Sequence, residues 1–397
     1  MKILVVSSRP PWPPVMADAM TVDRLLRFLS GRGHEVDLVC FVEDEEQERA
    51  LRQAHGDVCR RIETVLLPKW RSYLSTALTL PGSLPMQAQY YRSDHMRARI
   101  ESLVESKGYD VVYTHLIRMS EYTRGLPVPK ALGMQISQGL NLSRMVDHAS
   151  DPFRRTFYRI ETAKVRGYEA RVAADFDRVF LCGQSDIDAI EETAPLPNAV
   201  INPHGQDVPP LAQVRETERD PNAVVVTGVM STYTNVDAVT WFAEDVFPRV
   251  EAELPDARFW IVGRNPQRGV RALARPPHIE VTGEVPDVQD WLCRASVAVA
   301  PLRIGAGMQN KIVQAMAAEL PVVATPVANE GIGAAPGEQI VLADDAASMA
   351  REVARLLREP ERAREIGRAA RAWVEAHWTW EALFERQEKV LAEIAAR

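Results

Sequence analysis

The sequence predicts an α/β protein of two similar domains. Three observations carry this. Short apolar runs suited to strands buried on both faces alternate with stretches of helical spacing, the pattern of a parallel sheet wrapped by helices. The pattern stops at Pro209-Pro210 and a polar stretch over 213–220, then starts again. The 397 residues suffice for two or three domains of ordinary size.

In the first half, Ile3-Leu4-Val5-Val6 is a continuous apolar strand. It runs into the stiff loop Ser7-Ser8-Arg9-Pro10-Pro11-Trp12-Pro13-Pro14. Val22, Leu25, Leu26 and Leu29 then have helical spacing, and a second strand is expected over 35–40. No GxGxxG follows the first strand, which disfavours an amino-terminal dinucleotide site. A short strand is expected at 65–67. Residues 69–99 mix Trp70, Tyr73, Tyr90 and Tyr91 with Lys69, Arg71, Arg92, Arg97 and Arg99, interrupted by Pro81 and Pro85. The favoured reading is two helices and a loop covering the sheet; the other is an acceptor-side or membrane-surface contact. Strands are expected at 109–115, 130–137 and 178–182. His115 ends the first of these, and ligands of open α/β sheets sit outside such carboxyl ends. A charged helix over 152–174 reads mainly as a solvated face.

The join, from Ala199 to Asp207 and on to 220, reads as a linker. After it, strands are expected over 223–228, 258–263, 278–283, 296–300, 320–325 and 339–342. A helix beginning at Val236 carries Ala238, Trp241, Phe242 and Val246. Helices rich in alanine, arginine and glutamate end the chain, with a break at Trp378-Thr379-Trp380 before the last one.

The most informative stretch is Arg303-Ile304-Gly305-Ala306-Gly307-Met308-Gln309-Asn310-Lys311, between two of those strands and opening a helix. Gly305 and Gly307 lack a Cβ and let a ligand approach the backbone. The first amides of a helix have no intrahelical partner, and the helix dipole adds positive charge, so a phosphate is stabilised there. Lys311 and Gln314 are three residues apart and share a helix face. Lys311 is read as a diphosphate ligand, with Arg303 as a second cation, and Gln314 as a ribose hydrogen-bonder. A glycine turn with surface charges is the competing reading of the turn alone.

Composition narrows the partners. The net charge of −7 gives no global basic field for nucleic acid. Cys40, Cys59, Cys182 and Cys293 are scattered without metal-ligand spacing and fit reduced, buried thiols of a cytosolic protein. The amino-terminal strand is too short for a signal-peptide core. No apolar run approaches the roughly 20 residues of a spanning helix, so the chain is expected to be cytoplasmic, with any membrane contact peripheral, at the inner face.

The second half, through Thr227-Gly228-Val229-Met230, Asn235-Val236-Asp237-Ala238, Val262-Gly263-Arg264-Asn265, Thr282-Gly283-Glu284-Val285 and the glycine-bearing turn, resembles glycosyltransferase family 4, particularly sugar transferases of bacterial exopolysaccharide operons. In the first half Asp110-Val111-Val112-Tyr113-Thr114-His115 and Tyr168-Glu169 match best. The resemblance implies the α/β GT-B fold, two Rossmann-like, doubly wound domains facing a central cleft. The implied domains are 1–205, joined by a last helix over about 380–397, and 206–379. It implies a nucleotide-diphosphate sugar donor, uridine-linked in many members, used as substrate with no other cofactor and no metal. Transfer would retain the anomeric configuration, and the acceptor would be a glycan, a lipid-linked saccharide or a small molecule. Gly305, Ala306, Gly307, Met308, Gln309, Asn310 and Lys311 fall where the family binds diphosphate and donor sugar. Gln314 falls on its ribose-binding position, Val285 in the turn that reads the base, Arg264 in a flanking donor loop, and His115 on a histidine that contacts the donor sugar.

The sequence also departs from that family. Two glutamates, seven residues apart, are common around this helix, and Ala306 and Gln314 stand there instead. Glutamine can hydrogen-bond a ribose hydroxyl but carries no negative charge. The usual Gly-Arg pair after the first strand of the second domain is missing, with Thr232 and Asn235 in that loop, so Arg303 and Lys311 carry more of the diphosphate charge. Val15-Met16-Ala17 replaces a flexible glycine pair near the amino terminus. Two other readings stay open: a nucleotide-sugar epimerase on the same fold, and a donor-binding but inactive subunit.

Overall fold

The computed structural model describes residues 1–68, 84–148, 151–303 and 309–397. The chain divides into two compact units: Met1–His204 with Leu383–Arg397, and Gly205–Ala382. Each is built on its own parallel sheet.

The first unit's sheet has the order β3-β2-β1-β4-β5-β6-β7. Its strands are β1 (Lys2–Ser7), β2 (Glu35–Val42), β3 (Arg61–Leu66), β4 (Val111–His115), β5 (Lys130–Gln135), β6 (Arg178–Leu181) and β7 (Ala199–Ile201). β1 pairs in parallel with both β2 and β4, and the winding reverses between β1 and β4. Two strands differ from expectation for one physical reason. β3 and β7 are edge strands, paired on one side, so they need no continuous apolar run. β3 extends back over Arg61 and Glu63, and Glu63 is paired to Arg99 at 2.6 Å. β7 arises within the expected linker and has only three residues, paired with β6.

Of the aromatic and basic stretch over 69–99, residues 69–83, with Lys69, Trp70, Arg71, Tyr73 and Pro81, lie outside the described residues. The rest forms the Met86–Tyr90 helix and the start of the Asp94–Lys107 helix, whose Met96, Ile100, Leu103 and Val104 are buried. The charged helix spans Pro152–Ala173 and buries Val165, Tyr168 and Val172. The last helix, Trp380–Ala395, packs its later turns in the first unit. There Phe384 meets Phe28 at 5.6 Å, and Glu388 pairs with His34 at 2.7 Å.

The second unit's sheet has the order β10-β9-β8-β11-β12-β13. Its strands are β8 (Ala223–Thr227), β9 (Arg258–Val262), β10 (Ile279–Gly283), β11 (Val297–Ala300), β12 (Val322–Ala324) and β13 (Val341–Leu342). Alternate residues of one strand enter different cores: Ala223 and Val225 face one helix layer, Val224 and Val226 the other. This two-sided burial explains the continuous apolar runs. Among the described residues all four cysteines are free and buried, and no helix is long and apolar enough to cross a membrane.

Candidate functional site

β8 pairs in parallel with β9 on one side and β11 on the other, so the winding of the second sheet reverses at β8/β11. Ligands of doubly wound sheets bind at such a switch point, outside the carboxyl ends of the strands. A cavity of about 370 Å³ opens there. Thr227, Gly228 and Val229 after β8, Gly263 and Arg264 after β9, and Glu284 and Val285 after β10 line it, with Asn310, Lys311 and Gln314 of the Asn310–Ala317 helix. Gly263 is required by close approach: it has φ 149°, and a Cβ there would lie 1.7 Å from the Gly228 carbonyl oxygen. The loops after β8 and β9 therefore touch backbone to backbone, which shapes the floor of the cavity.

The cavity brings together Arg264, Val285, Asn310, Lys311 and Gln314 of the expected donor residues. Gly305, Ala306, Gly307 and Met308 lie outside the described residues. Gln309 is the N-cap residue of the Asn310–Ala317 helix and makes no side-chain capping bond. Lys311 donates from Nζ to Oδ1 of Asn235, whose Nδ2 donates to the Val229 carbonyl at 3.0 Å. Asn235 thus ties the loop after β8 to the helix after β11. Burial pushes the Lys311 ammonium down to about 8. Thr232 precedes the Tyr233–Trp241 helix, and its hydroxyl donates to Val229 at 3.1 Å. It does not line the cavity.

Arg303 stands outside the cavity lining. Its Nε donates to Oδ2 of Asp237 at 3.0 Å, its Nη2 donates to Oδ1, and its guanidinium lies 5.5 Å from the Trp241 ring centroid. One helix, Tyr233–Trp241, therefore carries Asp237 and Asn235, the partners of both predicted cations. Asp237 and Glu284, like the lining residues Thr227, Gly228, Val229 and Gly263, carry no role in the reading of the sequence. The two acids stand in stretches quoted for the resemblance, but no spacing marks the first as an arginine partner or the second as facing a cavity.

His115 ends β4 in the first unit, beside the reversal of that sheet. It is 1% exposed. Nδ1 lies 3.3 Å from the Tyr113 hydroxyl, and buried Nε2 has no hydrogen-bond partner. Burial holds its pKa down to about 3, Arg118 and His204 adding to the effect and Asp18 opposing it. The imidazole is neutral at neutral pH. Around it, Arg118 donates to Asp18 at 2.7 Å and to Ser8 at 2.8 Å, and Arg9 pairs with Asp18 at 3.1 Å. Glu169, near His115 in the sequence match only, accepts from Ser137 Oγ at 3.0 Å and from the amides of Gln138 and Gly139, opening the Gln138–His148 helix. Burial raises its pKa to about 7. Among the described residues no three histidine, cysteine or acidic side chains gather as a metal cluster.

Comparison with known proteins bears on the same regions. Residues 221–359 match the family model described as "Glycosyl transferases group 1". An "Uncharacterized 44.6 kDa protein in cps region" of Klebsiella pneumoniae is 24% identical over 377 residues, 89% of this chain and 90% of that protein. The sucrose-phosphate synthase structure from Thermosynechococcus elongatus superposes with a TM-score of 0.65 at 16% identity, covering 100% of this chain and 99% of that one. Anabaena Alr3699/HepE, solved in complex with UDP, gives a TM-score of 0.65 at 13% identity, covering 99% and 100%. WaaG, described as a glycosyltransferase involved in lipopolysaccharide biosynthesis, gives 0.60 at 13%, covering 98% and 99%.

Proposed function

We propose that this chain, a glycosyltransferase of the GT-B fold, moves a sugar from a nucleotide-diphosphate sugar to a hydroxyl acceptor in polysaccharide or glycoconjugate synthesis. The observation that carries the donor assignment is the cavity at the β8/β11 switch point. There a helix amino terminus, the half-buried Lys311 ammonium and the polar side chain of Gln314 share one wall. The amides opening a helix and a cation suit the diphosphate, and Gln314 suits a ribose hydroxyl. Uridine is the base proposed, supported by the superposition on a protein solved with UDP. The relative from a cps region agrees with a role in building a saccharide.

The proposed mechanism is a front-face transfer with retention. The glycosidic bond to the diphosphate breaks as the acceptor oxygen bonds the anomeric carbon on the same face. The acceptor proton passes to the departing diphosphate. Negative charge grows on that leaving group, so groups aimed at it stabilise the transition state. Lys311 and the amides opening its helix supply that stabilisation without a metal. His115, neutral and with an unpartnered Nε2, is proposed to hydrogen-bond the donor sugar. The acceptor is a glycan, a lipid-linked saccharide or a small molecule, with peripheral membrane contact in the lipid-linked case.

The test is a thermal-shift screen of nucleotide sugars followed by a transfer assay on the hits. Stabilisation by a UDP-sugar, together with acceptor-dependent UDP release and an anomeric centre of unchanged configuration by NMR, is expected. A donor that binds yet is neither transferred nor hydrolysed supports the inactive-subunit reading, which the pairing of Arg303 with Asp237 favours. Epimerised donor without acceptor supports the epimerase.

A further inference from the structure

A neutral imidazole carries one proton on either of two nitrogens, and the neighbours of His115 decide which. Tyr113 precedes it by two residues on β4, so the two side chains leave the same face of the strand. The Tyr113 ring is buried, and its hydroxyl lies 3.3 Å from His115 Nδ1. Gly133 stands opposite His115 on β5, and a Cβ there would lie 2.1 Å from the phenol oxygen. Glycine thus leaves the space in which that oxygen sits.

A phenol oxygen has one hydrogen to give and lone pairs with which to accept. Besides His115, the side-chain amides of Gln135 and Gln387 bear on the Tyr113 oxygen, and both act as donors that oppose the effect of burial on its pKa. Their carbonyl ends are engaged elsewhere. Gln135 Oε1 accepts from the Cys182 thiol at 3.6 Å, and Gln387 Oε1 accepts from Asn202 Nδ2 at 3.1 Å. Each glutamine is therefore left with its NH2 group for the phenol. That of Gln387 is buried and has no better-aligned acceptor among the described residues. With two donors on the lone pairs, the phenol hydrogen is left for His115 Nδ1. A nitrogen that accepts carries no proton, so the ring proton stands on Nε2.

We propose that Tyr113, backed by Gln135 and Gln387, is a positioning residue that locks His115 with its proton on Nε2, so that the ring recognises a substrate hydroxyl by donating to its oxygen. Nε2 is buried and has no partner among the described residues. A buried donor left unsatisfied is costly, which makes this nitrogen the natural place for a ligand oxygen to complete. In this state His115 gives a hydrogen bond at Nε2 and takes no proton there, so it does not serve as a general base. Gln387 belongs to the Trp380–Ala395 helix, so the last helix helps to fix the chemical state of a residue on β4. That the hydroxyl belongs to the donor sugar rests on the glycosyl-transfer reading; the position of the proton does not.

Long-range nitrogen-15 NMR of the full chain, labelled at histidine, reads the proton position directly. The His115 signals are assigned by their loss in His115→Gln. At pH 7 the unliganded protein should show the hydrogen on Nε2 and a bare Nδ1, and a hydrogen on Nδ1 overturns the proposal. Gln387→Glu, ionised, replaces a donor to the phenol by an acceptor. The phenol hydrogen should then turn to the carboxylate and the ring proton should move to Nδ1. Tyr113→Phe removes the lock, and both ring forms should appear. Circular dichroism checks the fold of each variant, and a proton position unaltered in the folded variants overturns the proposal. Calorimetry then compares UDP with a UDP-sugar. In Tyr113→Phe the UDP affinity should hold while the UDP-sugar affinity falls about fivefold, the worth of one hydrogen bond. Equal loss for both ligands, or loss for neither, overturns the positioning role. The expected proton position in a chain that binds neither ligand supports the lock and strikes the donor reading.

Discussion

Raising the pH should weaken donor binding through a single group, Lys311. Its pKa is held down from 10.5 to about 8 by burial. The shift corresponds to roughly 3 kcal/mol disfavouring the buried ammonium. The sign follows from linkage. The unfolded chain keeps its proton to about 10.5, so the folded state carries this penalty in full below about pH 8. The penalty fades as pH rises toward 10.5. An anionic donor acts the opposite way, because it attracts the charged form. At pH 7 Lys311 is mostly protonated and ready for the diphosphate. One unit above its pKa only about a tenth of the molecules carry the charge, and affinity should fall about tenfold per unit from there. Isothermal titration with a UDP-sugar, whose diphosphate stays ionised throughout, should show Kd flat from pH 6.5 to 7.5 and rising steeply above 8. Proton uptake on binding should appear near the midpoint. A Kd unchanged between pH 7 and 9.5, or the same profile in Lys311→Met, would refute the assignment of Lys311 to the diphosphate.

Three further outcomes are expected. Asn235→Ala removes the acceptor of the buried ammonium, a bond worth about 1.5–3 kcal/mol, and should move that binding midpoint down by about one pH unit in the same titration. Gly263→Ala places a methyl where the Gly228 carbonyl oxygen stands, 1.7 Å away; a loss of about 3 kcal/mol or more in urea unfolding is expected, and a loss under 1 kcal/mol would show that the two loops separate freely. His115 should remain neutral by nitrogen-15 NMR from pH 5 to 8. Stability should fall as pH drops from about 6.5 toward 3, since the unfolded chain then takes a proton the buried ring refuses.

Much of the architecture was legible because the strands of both sheets are buried on two faces. Val224 and Val226 on one side and Ala223 and Val225 on the other leave no polar position to blur the run. Edge strands were harder to read. β3 carries Arg61 and Glu63, and β7 is three residues beside an expected linker. At the site, Lys311 and Gln314 were readable from helix spacing, since both line one cavity. The pairings of Lys311 and Arg303 were not: Asn235 and Asp237 stand 76 and 66 residues from the cations they hold. Pairings across such separations depend on the order of strands in the sheet, and β8 lies beside β11 only through a winding reversal that no local pattern encodes. The cavity at the carboxyl ends of β1, β2 and β3 in the first unit has the same origin: Trp12 after β1, Phe41 within β2 and Tyr91 after the Met86–Tyr90 helix line it together only because β1 and β2 are paired.

The central claim, that a nucleotide diphosphate sits against the opening turn of the Asn310–Ala317 helix, is most directly tested by a crystal grown with a UDP-sugar. Diphosphate oxygens within hydrogen-bond distance of Lys311 Nζ and the first amides of that helix, with the ribose at Gln314, are predicted. A nucleotide bound elsewhere, or a switch-point cavity that stays empty at saturating donor, would contradict it.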